Sequence, residues 1–412
     1  MPSVEAIRLF KSLNRNQRNT FVACFLGWAL DAFDFFLLTF VIVPMAHEFG
    51  TSIADLSYAI TLTLAMRPVG AFIFGLLGDR FGRRMPLMID IIFYSLMELL
   101  TAFSPNYTTL LIFRALYGIG MGGEWGLGAS LAMETLPTEA RGFFSGFLQQ
   151  GYMFGYLFAS LVYWIVFPLF GWRALFIVGA LPALLVLYIR TKVPESPVWL
   201  RQQATSNVWA SLGEILKRHW LLFVYVTLLM TAFNAVSHGT QDQYQTFLTA
   251  QRGLSVEAKS VIGIIYAVGA ICGGILVGHL SQKFGRRRLI IISAICGIIL
   301  IPAWVFSPAL SMLVAGGFLM QFMVQGAWGI VPVHLNELSP STVRGTFPGF
   351  TYQLGNLFAA NTAVVEAQLA NHFRDASGHP DYAKALAVFT FVIFLILILL
   401  AAIGPEKRGK EF

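Results

Sequence analysis

The sequence has 412 residues, of which 57% are hydrophobic and only 12% are charged. An average soluble domain carries about 25% charged residues, so this composition excludes an ordinary soluble protein and indicates a chain embedded in lipid. Taken alone, the formal net charge of +7 suggests a nucleic-acid partner, so the positions of the charged residues along the chain decide whether one is expected.

Apolar runs recur from one end of the chain to the other, and most reach the length of roughly 20 helical residues that a hydrocarbon core requires. We predict an all-α integral membrane protein with twelve transmembrane helices, numbered span 1 to span 12. Spans 1 to 6 cover Phe21–Ala46, Leu56–Leu77, Met85–Phe103, Tyr107–Met133, Phe143–Phe170 and Trp172–Ile189. Spans 7 to 12 cover Trp220–Ala250, Val261–Leu280, Leu289–Phe306, Met312–Leu335, Thr346–Leu369 and Ala383–Ile403.

The long polar stretch between spans 6 and 7 predicts the domain organisation. We predict an N-terminal six-helix bundle over residues 1–190, a cytoplasmic linker over 191–219 and a C-terminal six-helix bundle over 220–412.

The basic residues predict the orientation of the chain. Most of the 28 Lys and Arg residues fall in the predicted termini and even-numbered connections, so both termini are expected to be cytoplasmic. The basic excess is then a topology signal whose natural partner is acidic lipid headgroups. We therefore predict a multi-pass protein of the inner (plasma) membrane that contacts the lipid bilayer and binds no nucleic acid.

The three cysteines all lie within apolar runs and show no CxxC spacing: Cys24, Cys272 and Cys296. This pattern argues against a disulfide framework and against a metal site.

The two halves of the chain are repeats of each other. An offset of 203 residues, as from Arg83 to Arg286, aligns the halves without a gap. The matching pairs include Gly75 with Gly278, Trp125 with Trp328, Glu134 with Glu337, Pro137 with Pro340, Arg141 with Arg344 and Gln150 with Gln353. Two pseudo-symmetric bundles in the same orientation are therefore expected, with a substrate site near the membrane midplane between them.

The loop between spans 2 and 3 resembles a known family signature. The run from Gly75 through Asp79 and Arg80 to Gly82, Arg83 and Arg84 is similar to the signature loop of the major facilitator superfamily. Pro194-Glu195-Ser196-Pro197 after span 6 resembles the sugar-porter branch of that family. The resemblance implies the major facilitator fold over essentially the whole chain.

Several charged residues lie inside the predicted spans, where each costs several kcal/mol and functional use is the default hypothesis. They are Asp31 and Asp34 in span 1, Arg67 in span 2, Arg114 and Glu124 in span 4, and His238 and Asp242 in span 7. We regard Asp90 and Glu98 in span 3 as less informative.

Span 7 carries a polar stripe. Asn234, His238 and Asp242 stand at i, i+4 and i+8, so they drift only slowly around the helix axis. Ser237 and Gln241 widen the same face. The stripe predicts a hydrated path lined by hydrogen-bonding groups, and the alternative is a helix–helix interface held by hydrogen bonds between helices.

The same run of span 7 resembles the seventh-helix signature of fungal Jen-type lactate/pyruvate proton symporters, position for position. The first helix and the helix around Arg67 also resemble the wider sialate/lactate symporter group. The resemblance implicates Asn234, His238, Asp242 and Arg67 in binding or translocation, with Phe154 and Gln353 as weaker carry-overs. The repeat separately aligns Asp31 with Asn234.

A buried carboxylate substrate requires a cation and hydrogen-bond donors. Arg67 provides a bidentate fork that a lysine does not, and the amides of Asn234, Gln150 and Gln353 are further donors. A structural ion pair with Asp31 or Asp34 is the alternative role of Arg67. The predicted substrate-binding residues are Arg67, Asn234, His238, Gln241, Asp242, Gln150, Phe154 and Gln353.

Proton coupling requires a group whose pKa moves as the site opens and closes. Asp34 with Arg114 resembles the acid and arginine pair of proton-coupled sugar porters, which makes Asp34 the first choice. Glu124 is the second choice for the proton site and Asp242 the third. The predicted proton-coupling residues are Asp34, Asp31, Arg114 and Glu124. His238 titrates near neutrality or serves as a neutral hydrogen-bonding group.

Charged residues at the cytoplasmic ends are predicted to latch the two halves, Glu134 together with Arg141 and Glu337 together with Arg344. The predicted gating set is Asp79, Arg80, Arg83, Arg84, Glu134, Arg141, Glu337 and Arg344, together with Lys283 and Arg286 to Arg288. Glycines in span 4, and Gly273-Gly274 in span 8, are expected to permit close helix packing.

These features predict a secondary active transporter for proton-coupled symport of a small monocarboxylate, lactate-like or pyruvate-like, by alternating access. A sialic acid or aromatic acid symporter is the alternative within transport, and a membrane acid sensor is the alternative outside it. No Walker motif is present, so we predict a proton gradient as the driving force and no cofactor. We predict that the protein is not an enzyme, because no nucleophile–base pair or metal-ligand spacing occurs in the sequence. We also predict a monomer.

Overall fold

The computed structural model describes residues 8–202, 213, 217–374 and 378–412. Within these ranges the chain is helical and contains no β-strand. Of the predicted linker 191–219, residues 203–212 and 214–216 lie outside the described part.

The helices of the first half follow the predicted spans. Spans 1 to 4 are Arg15–Phe49, Ile53–Phe81, Arg84–Ala102 and Tyr107–Thr135. Span 5 starts with Arg141–Gln149 and continues into Gly151–Val178, which bends at Gly171, where φ is +72°. The part of this helix after Gly171 is the start of span 6. Span 6 continues through the 3₁₀ turn Leu181–Leu184 and the helix Leu185–Lys192. A short helix, Pro197–Gln202, follows.

The helices of the second half are interrupted more often. Span 7 is Trp220–Gln241, followed by Tyr244–Thr246 and the π-helical turn Phe247–Gln251. Span 8 is Val256–Phe284, and span 9 is Arg286–Ile301 with the π-helical turn Pro302–Phe306. Span 10 is Leu310–Trp328 and Val331–Leu338, and the 3₁₀ turn Ser341–Val343 follows it. Span 11 is Phe347–Ala359 and Thr362–His372, and span 12 is Tyr382–Ile403.

Short polar residues and glycine set the ends of span 1. The Asn14 side chain accepts a hydrogen bond from the Gln17 N–H, and the Gln17 side chain accepts one from the Asn14 N–H. This capping box satisfies two amide groups that have no partner inside the helix. At the other end Gly50 adopts a left-handed conformation with φ of 62°, which glycine tolerates without a Cβ clash.

Nine helices in the described ranges are long and apolar enough to cross a membrane, judged by length and composition. Spans 5 and 6 count as one of these nine, because their helices run together at Gly171. Span 11 is broken after Ala359, and span 4 contains many glycines and three buried charges. The nine helices therefore agree with twelve crossings.

The repeat in the sequence is also a repeat in space. Span 2 packs on span 4 as span 8 packs on span 10, and span 1 packs on span 5 as span 7 packs on span 11. The glycines of span 4 permit this packing, since a Cβ on Gly122 would lie 2.0 Å from the carbonyl oxygen of Arg67. The two bundles meet through spans 5 and 8 and through spans 2 and 11.

The bundles are sealed together at the end of the molecule that carries the described chain termini. Asp79 accepts hydrogen bonds there from the N–H groups of Gly345 and Thr346, at 2.6 and 3.0 Å. Ser130 donates to the carbonyl of Arg344 at 2.8 Å. His238, halfway along the spans, keeps 34% of its side chain exposed. The bundles are therefore closed at this end, while the centre around His238 stays partly accessible.

Candidate functional site

Arg67 is a buried cation with unused donors at the contact between the bundles. Its side chain belongs to span 2 and is 3% exposed, and its guanidinium carbon lies 5.9 Å from the centre of the Tyr352 ring in span 11. Its Nε and Nη2 groups have no hydrogen-bond partner. In the described part of the chain no ion pair joins Arg67 to Asp31 or Asp34. These two donor groups are thus free to bind an anion.

Gln150 and Gln353 bring amide groups to the contacts between the bundles, Gln150 where span 5 meets span 8 and Gln353 from span 11, which meets span 2. These repeat-related side chains are each 1% exposed, and their amide nitrogen and oxygen atoms have no hydrogen-bond partner. Gln150 stands at the break of span 5 and points at span 8, since a Cβ on Gly274 would lie 1.9 Å from its Nε2. The two glutamines therefore offer unpaired amide groups at repeat-related positions of the two bundles.

The polar stripe of span 7 divides into two parts. His238 Nδ1 lies 3.1 Å from an Asp242 carboxylate oxygen, and its Nε2 lies 3.3 Å from the Asn356 amide oxygen of span 11. The side chains of His238 and Asp242 remain about one-third exposed, at 34% and 38%. The contact with Asn356 places the imidazole against span 11, one helical turn from Tyr352.

The other members of the stripe are engaged within the C-terminal bundle. Asn234 donates to the carbonyl of Met230 at 2.8 Å. Gln241 donates to Ser237 at 3.1 Å and to Gln321 of span 10 at 3.2 Å. The alternative of a hydrogen-bonded helix interface therefore describes Gln241, whereas His238 and Asp242 face the accessible centre.

Phe154 and Tyr152 of span 5 take different positions. Phe154 packs edge to face against Phe25 of span 1, with ring centres 5.5 Å apart. Tyr152 stacks on Trp28 of span 1, with ring centres 5.6 Å apart. The sequence did not single out Tyr152 or Asn356. Their only signal is proximity in the chain to Gln150 and Gln353.

Arg114 is paired differently from the prediction. Its guanidinium forms a fully buried ion pair with Glu98 of span 3, and no hydrogen-bond partner is present for either carboxylate oxygen of Asp34. Asp34 lies beside the same glutamate, since a Cβ on Gly179 would be 3.0 Å from Asp34 Oδ1 and 2.7 Å from Glu98 Cγ. The expected Asp34–Arg114 pair is therefore replaced by Glu98–Arg114, because Glu98 of the neighbouring span 3 lies beside both residues.

Further buried carboxyl groups surround this pair. Asp31, Glu124 and Asp90 are fully buried, and none of their carboxylate oxygens has a hydrogen-bond partner. Glu124 points at span 1, where a Cβ on Gly27 would lie 2.3 Å from its Oε1. Glu366 of span 11 is a comparable group in the C-terminal bundle. Sequence reasoning set Asp90 and Glu98 aside and missed Glu366.

The signature loops form equivalent ion pairs in the two halves. Arg83 binds Glu134 at 3.0 Å, and its repeat mate Arg286 binds Glu337 at 3.0 Å, all fully buried. Glu134 and Glu337 therefore make their shortest ion pairs within their own bundle, and not with Arg141 and Arg344, the residues together with which they were expected to latch the halves. These glutamates turn toward the neighbouring loop arginine because it lies on the adjacent helix of the same bundle.

Arg141 and Arg344 instead link the bundles through the C-terminal segment. Arg344 Nη1 lies 3.8 Å from Glu134 across the interface. Arg141 donates to the carbonyl of Lys410 at 2.8 Å. The ring of Phe412 lies between the two guanidiniums, 3.9 Å from Arg141 and 4.0 Å from Arg344.

Arg80 and Arg84 take no part in contacts between the bundles that the structure records. Arg80 is exposed, with its guanidinium over the ring of the adjacent Phe81 at 5.3 Å. Arg84 donates to the carbonyl of Arg190 within its own bundle at 2.5 Å.

The motif Pro194-Glu195-Ser196-Pro197 after span 6 contacts the loop between spans 2 and 3. Glu195 accepts hydrogen bonds from the backbone N–H groups of Arg83 and Arg84, and Ser196 donates to Glu134 at 2.5 Å. Burial raises the pKa of the Glu195 carboxyl, and these N–H groups partly offset the shift. The motif thus ties the linker to the loop between spans 2 and 3.

The chain matches known membrane transporters along its whole length. The model of the Major Facilitator Superfamily matches residues 24–360 and 243–411. A carboxylic acid transporter protein homologue of Saccharomyces cerevisiae is 31% identical over 441 residues, covering 99% of this chain and 71% of the yeast protein. A probable 4-methylmuconolactone transporter of Cupriavidus pinatubonensis is 31% identical over 406 residues, covering 97% and 93%.

Two further similarities extend this result. The sialic acid transporter NanX of Escherichia coli is 27% identical over 405 residues, covering 98% of this chain and 97% of that protein. The solved structure of the proton:xylose symporter XylE has a TM-score of 0.76 at 21% identity, covering 96% and 97%. At that identity the structure establishes the fold alone. With two repeated helical bundles packed around a central polar site, the chain belongs to the major facilitator superfamily and is a multi-pass secondary transporter rather than an enzyme.

Proposed function

We propose that this transporter moves a small monocarboxylate, lactate-like or pyruvate-like, together with a proton. The observation that carries the proposal is the group of unpaired donors on Arg67, Gln150 and Gln353, buried where the bundles meet. A carboxylate supplies the negative charge and the acceptor oxygens that these donors lack. His238 and Asp242 of span 7, each about one-third exposed, add further polar groups.

The proposed proton site is Asp34. Its carboxyl is fully buried without a hydrogen-bond partner while Arg114 is engaged by Glu98. An ionised carboxyl in such a position is costly, whereas pairing with an arginine lowers that cost. In the proposed cycle Asp34 carries the proton in the present state and releases it when Arg114 transfers from Glu98 to Asp34.

The proposed orientation follows from the basic residues of the loops. With both termini in the cytoplasm of a cell bounded by an inner (plasma) membrane, the sealed end faces inward. The accessible centre then faces outward and accepts substrate from outside. A single chain supplies every residue of the proposed site, which fits a monomer.

Uptake into proteoliposomes tests the proposal. Labelled lactate or pyruvate is expected to accumulate inside when the outer solution is acidified, and a protonophore is expected to abolish accumulation. Arg67→Ala protein in matched vesicles serves as the control. Uptake that continues unchanged after the proton gradient collapses contradicts proton coupling and leaves a facilitator.

A second candidate is an aromatic or sialic acid symporter. The ring of Tyr352, which lies near Arg67 and 4.6 Å from the ring centre of Trp125, favours an aromatic acid. A relative named as a sialic acid transporter favours the other acid. A thermal-shift screen of short acids against benzoate, sialic acid and a sugar separates the candidates. Stabilisation by benzoate or sialic acid alone would replace the monocarboxylate proposal.

A further inference from the structure

Two tryptophans occupy equivalent positions in the repeats and pack against the same tyrosine. Trp125 of span 4 and Trp328 of span 10 are 1% and 4% exposed. Their ring centres lie 4.6 and 5.6 Å from that of Tyr352, the residue over which the Arg67 guanidinium lies. Both indoles therefore border the group of unpaired donors.

The two indoles differ in the use of their N–H groups. Trp125 Nε1 donates to the Gln149 side-chain oxygen at 3.2 Å, whereas Trp328 Nε1 has no partner. The offset of 203 residues that pairs the tryptophans also pairs Gln149 with Tyr352. The second repeat thus has a phenol ring where the first has an amide acceptor, and the Trp328 donor is left free. A buried N–H without an acceptor costs free energy.

Trp328 also stands at a break in its helix. It is the last residue of Leu310–Trp328, and span 10 resumes only at Val331. Discontinuous helices at the interface of repeats are where transporters of this kind hold their substrates. Its ring packs edge to face against Phe233 of span 7, next to Asn234, with centres 5.4 Å apart. The free N–H therefore lies among spans 7, 10 and 11.

We propose that Trp328 is a specificity residue whose indole N–H donates to the oxygen on the carbon next to the substrate carboxylate. The inference rests on the proposed function, in which Arg67, Gln150 and Gln353 hold the carboxylate itself. An indole N–H donates and never accepts, so it suits a 2-oxo or 2-hydroxy oxygen. It gives nothing to an unsubstituted acid and opposes a 2-ammonium group. The site accordingly prefers 2-oxo and 2-hydroxy acids over their unsubstituted and amino counterparts.

Binding measurements on the purified full-length protein test this preference. Wild type is expected to bind pyruvate and lactate more tightly than propionate, and alanine most weakly. Trp328→Phe keeps a ring and removes the donor, so the ratio of pyruvate to propionate affinity is expected to fall roughly tenfold, about 1.4 kcal/mol. Trp125→Phe is the matched control, because its N–H is already bound by Gln149, and it is expected to keep the ratio.

A second variant tests the same donor without changing the tryptophan. Tyr352→Gln recreates in the second repeat the acceptor that Gln149 provides in the first, and it is expected to lower the same ratio by occupying the Trp328 N–H. This measurement also decides the matter if Trp328→Phe protein is unstable.

The inference is overturned if both Trp328→Phe and Tyr352→Gln keep the wild-type ratio, or if Trp125→Phe lowers it equally. Failure of the proposed function looks different, since wild type would then bind none of these acids or would transport them without protons.

Discussion

At the scale of single residues, the free guanidinium of Arg67 is the feature on which binding depends. Replacing it with lysine keeps the charge but removes the planar fork that engages both carboxylate oxygens. We expect Arg67→Lys to weaken lactate binding at least roughly tenfold, and Arg67→Ala to abolish it, by isothermal titration calorimetry. Arg80→Lys is the control, because Arg80 is exposed on the same helix. If Arg67→Lys binds lactate with wild-type affinity, the planar fork of the guanidinium is not needed for binding.

His238 is expected to contribute to binding from the accessible side. Its imidazole bridges Asp242 and Asn356, so His238→Ala removes a positioned hydrogen-bonding group and leaves two polar side chains without their shared partner. We expect loss of measurable lactate binding with little change in melting temperature. His372→Ala, at the end of span 11, is the control. Retained binding in His238→Ala would show that the imidazole only joins spans 7 and 11.

Asp34 and Glu98 are expected to behave differently although they lie side by side. Asp34→Asn imitates the protonated group, so it is expected to retain lactate exchange across the membrane but lose uphill accumulation. Glu98→Gln removes the carboxylate that pairs with Arg114 while Asp34 is protonated, and breaking a buried pair costs about 3–5 kcal/mol, so the protein is expected to melt at a lower temperature. Uphill transport by Asp34→Asn would move the proton site to Asp31 or Glu124.

At the scale of helices, the break in span 10 is bridged from the other bundle. The Ser145 hydroxyl donates to the carbonyl of Gly329 at 2.8 Å and accepts from the Val333 N–H at 3.0 Å. One side chain of span 5 thus satisfies two backbone groups that the interrupted helix leaves open. The contact exists only while the two bundles are closed at this end.

Removing that hydroxyl is expected to weaken the closed state. Ser145→Ala leaves both backbone groups unpaired, at a cost of about 1–3 kcal/mol, so we expect a lower melting temperature in detergent. Ser160→Ala is the matched control, because its hydroxyl bonds only the Tyr156 carbonyl of its own helix. Equal melting of the two variants would mean that water replaces the Ser145 hydroxyl without loss.

Helix ends and breaks follow local chemistry more closely than helix contacts do. The Asn14 cap and Gly50 terminate span 1 as short-range rules require, and Gly171 separates spans 5 and 6 as the sequence predicted. The breaks in spans 7, 10 and 11 carry weaker local signals, because tertiary contacts such as Ser145 with Gly329 compensate the lost helix bonds. The sequence therefore predicted twelve helices but not where they are interrupted.

At the scale of the whole molecule, Asp79 closes one end of the transporter. Its carboxylate receives two N–H groups and the Thr346 hydroxyl at the start of the helix Phe347–Ala359, where the helix dipole favours a negative charge. Asp79 of the N-terminal bundle is thereby bound to the start of span 11 in the C-terminal bundle. This end opens only when that contact breaks.

Asp79→Asn is expected to separate binding from turnover. Loss of the charge weakens the closed state, so we expect slower exchange of labelled lactate with an affinity close to wild type. Glu48→Gln is the control, because Glu48 forms a half-exposed pair with Arg173 inside one bundle, and such pairs contribute little. An Asp79→Asn protein that exchanges at the wild-type rate would show that this contact does not limit the conformational cycle.

By itself the sequence determined the membrane setting, the twelve spans, the two repeats and the family, because these follow from the length of apolar runs and from a signature loop read along the chain. It also singled out Arg67, Gln150 and Gln353. Only the tertiary structure decided which charges meet. Glu98 takes Arg114, Glu134 takes Arg83, and Trp328 is left without an acceptor. These pairings depend on how neighbouring helices are rotated and on which end of the bundles is closed, and no spacing within a single helix encodes either.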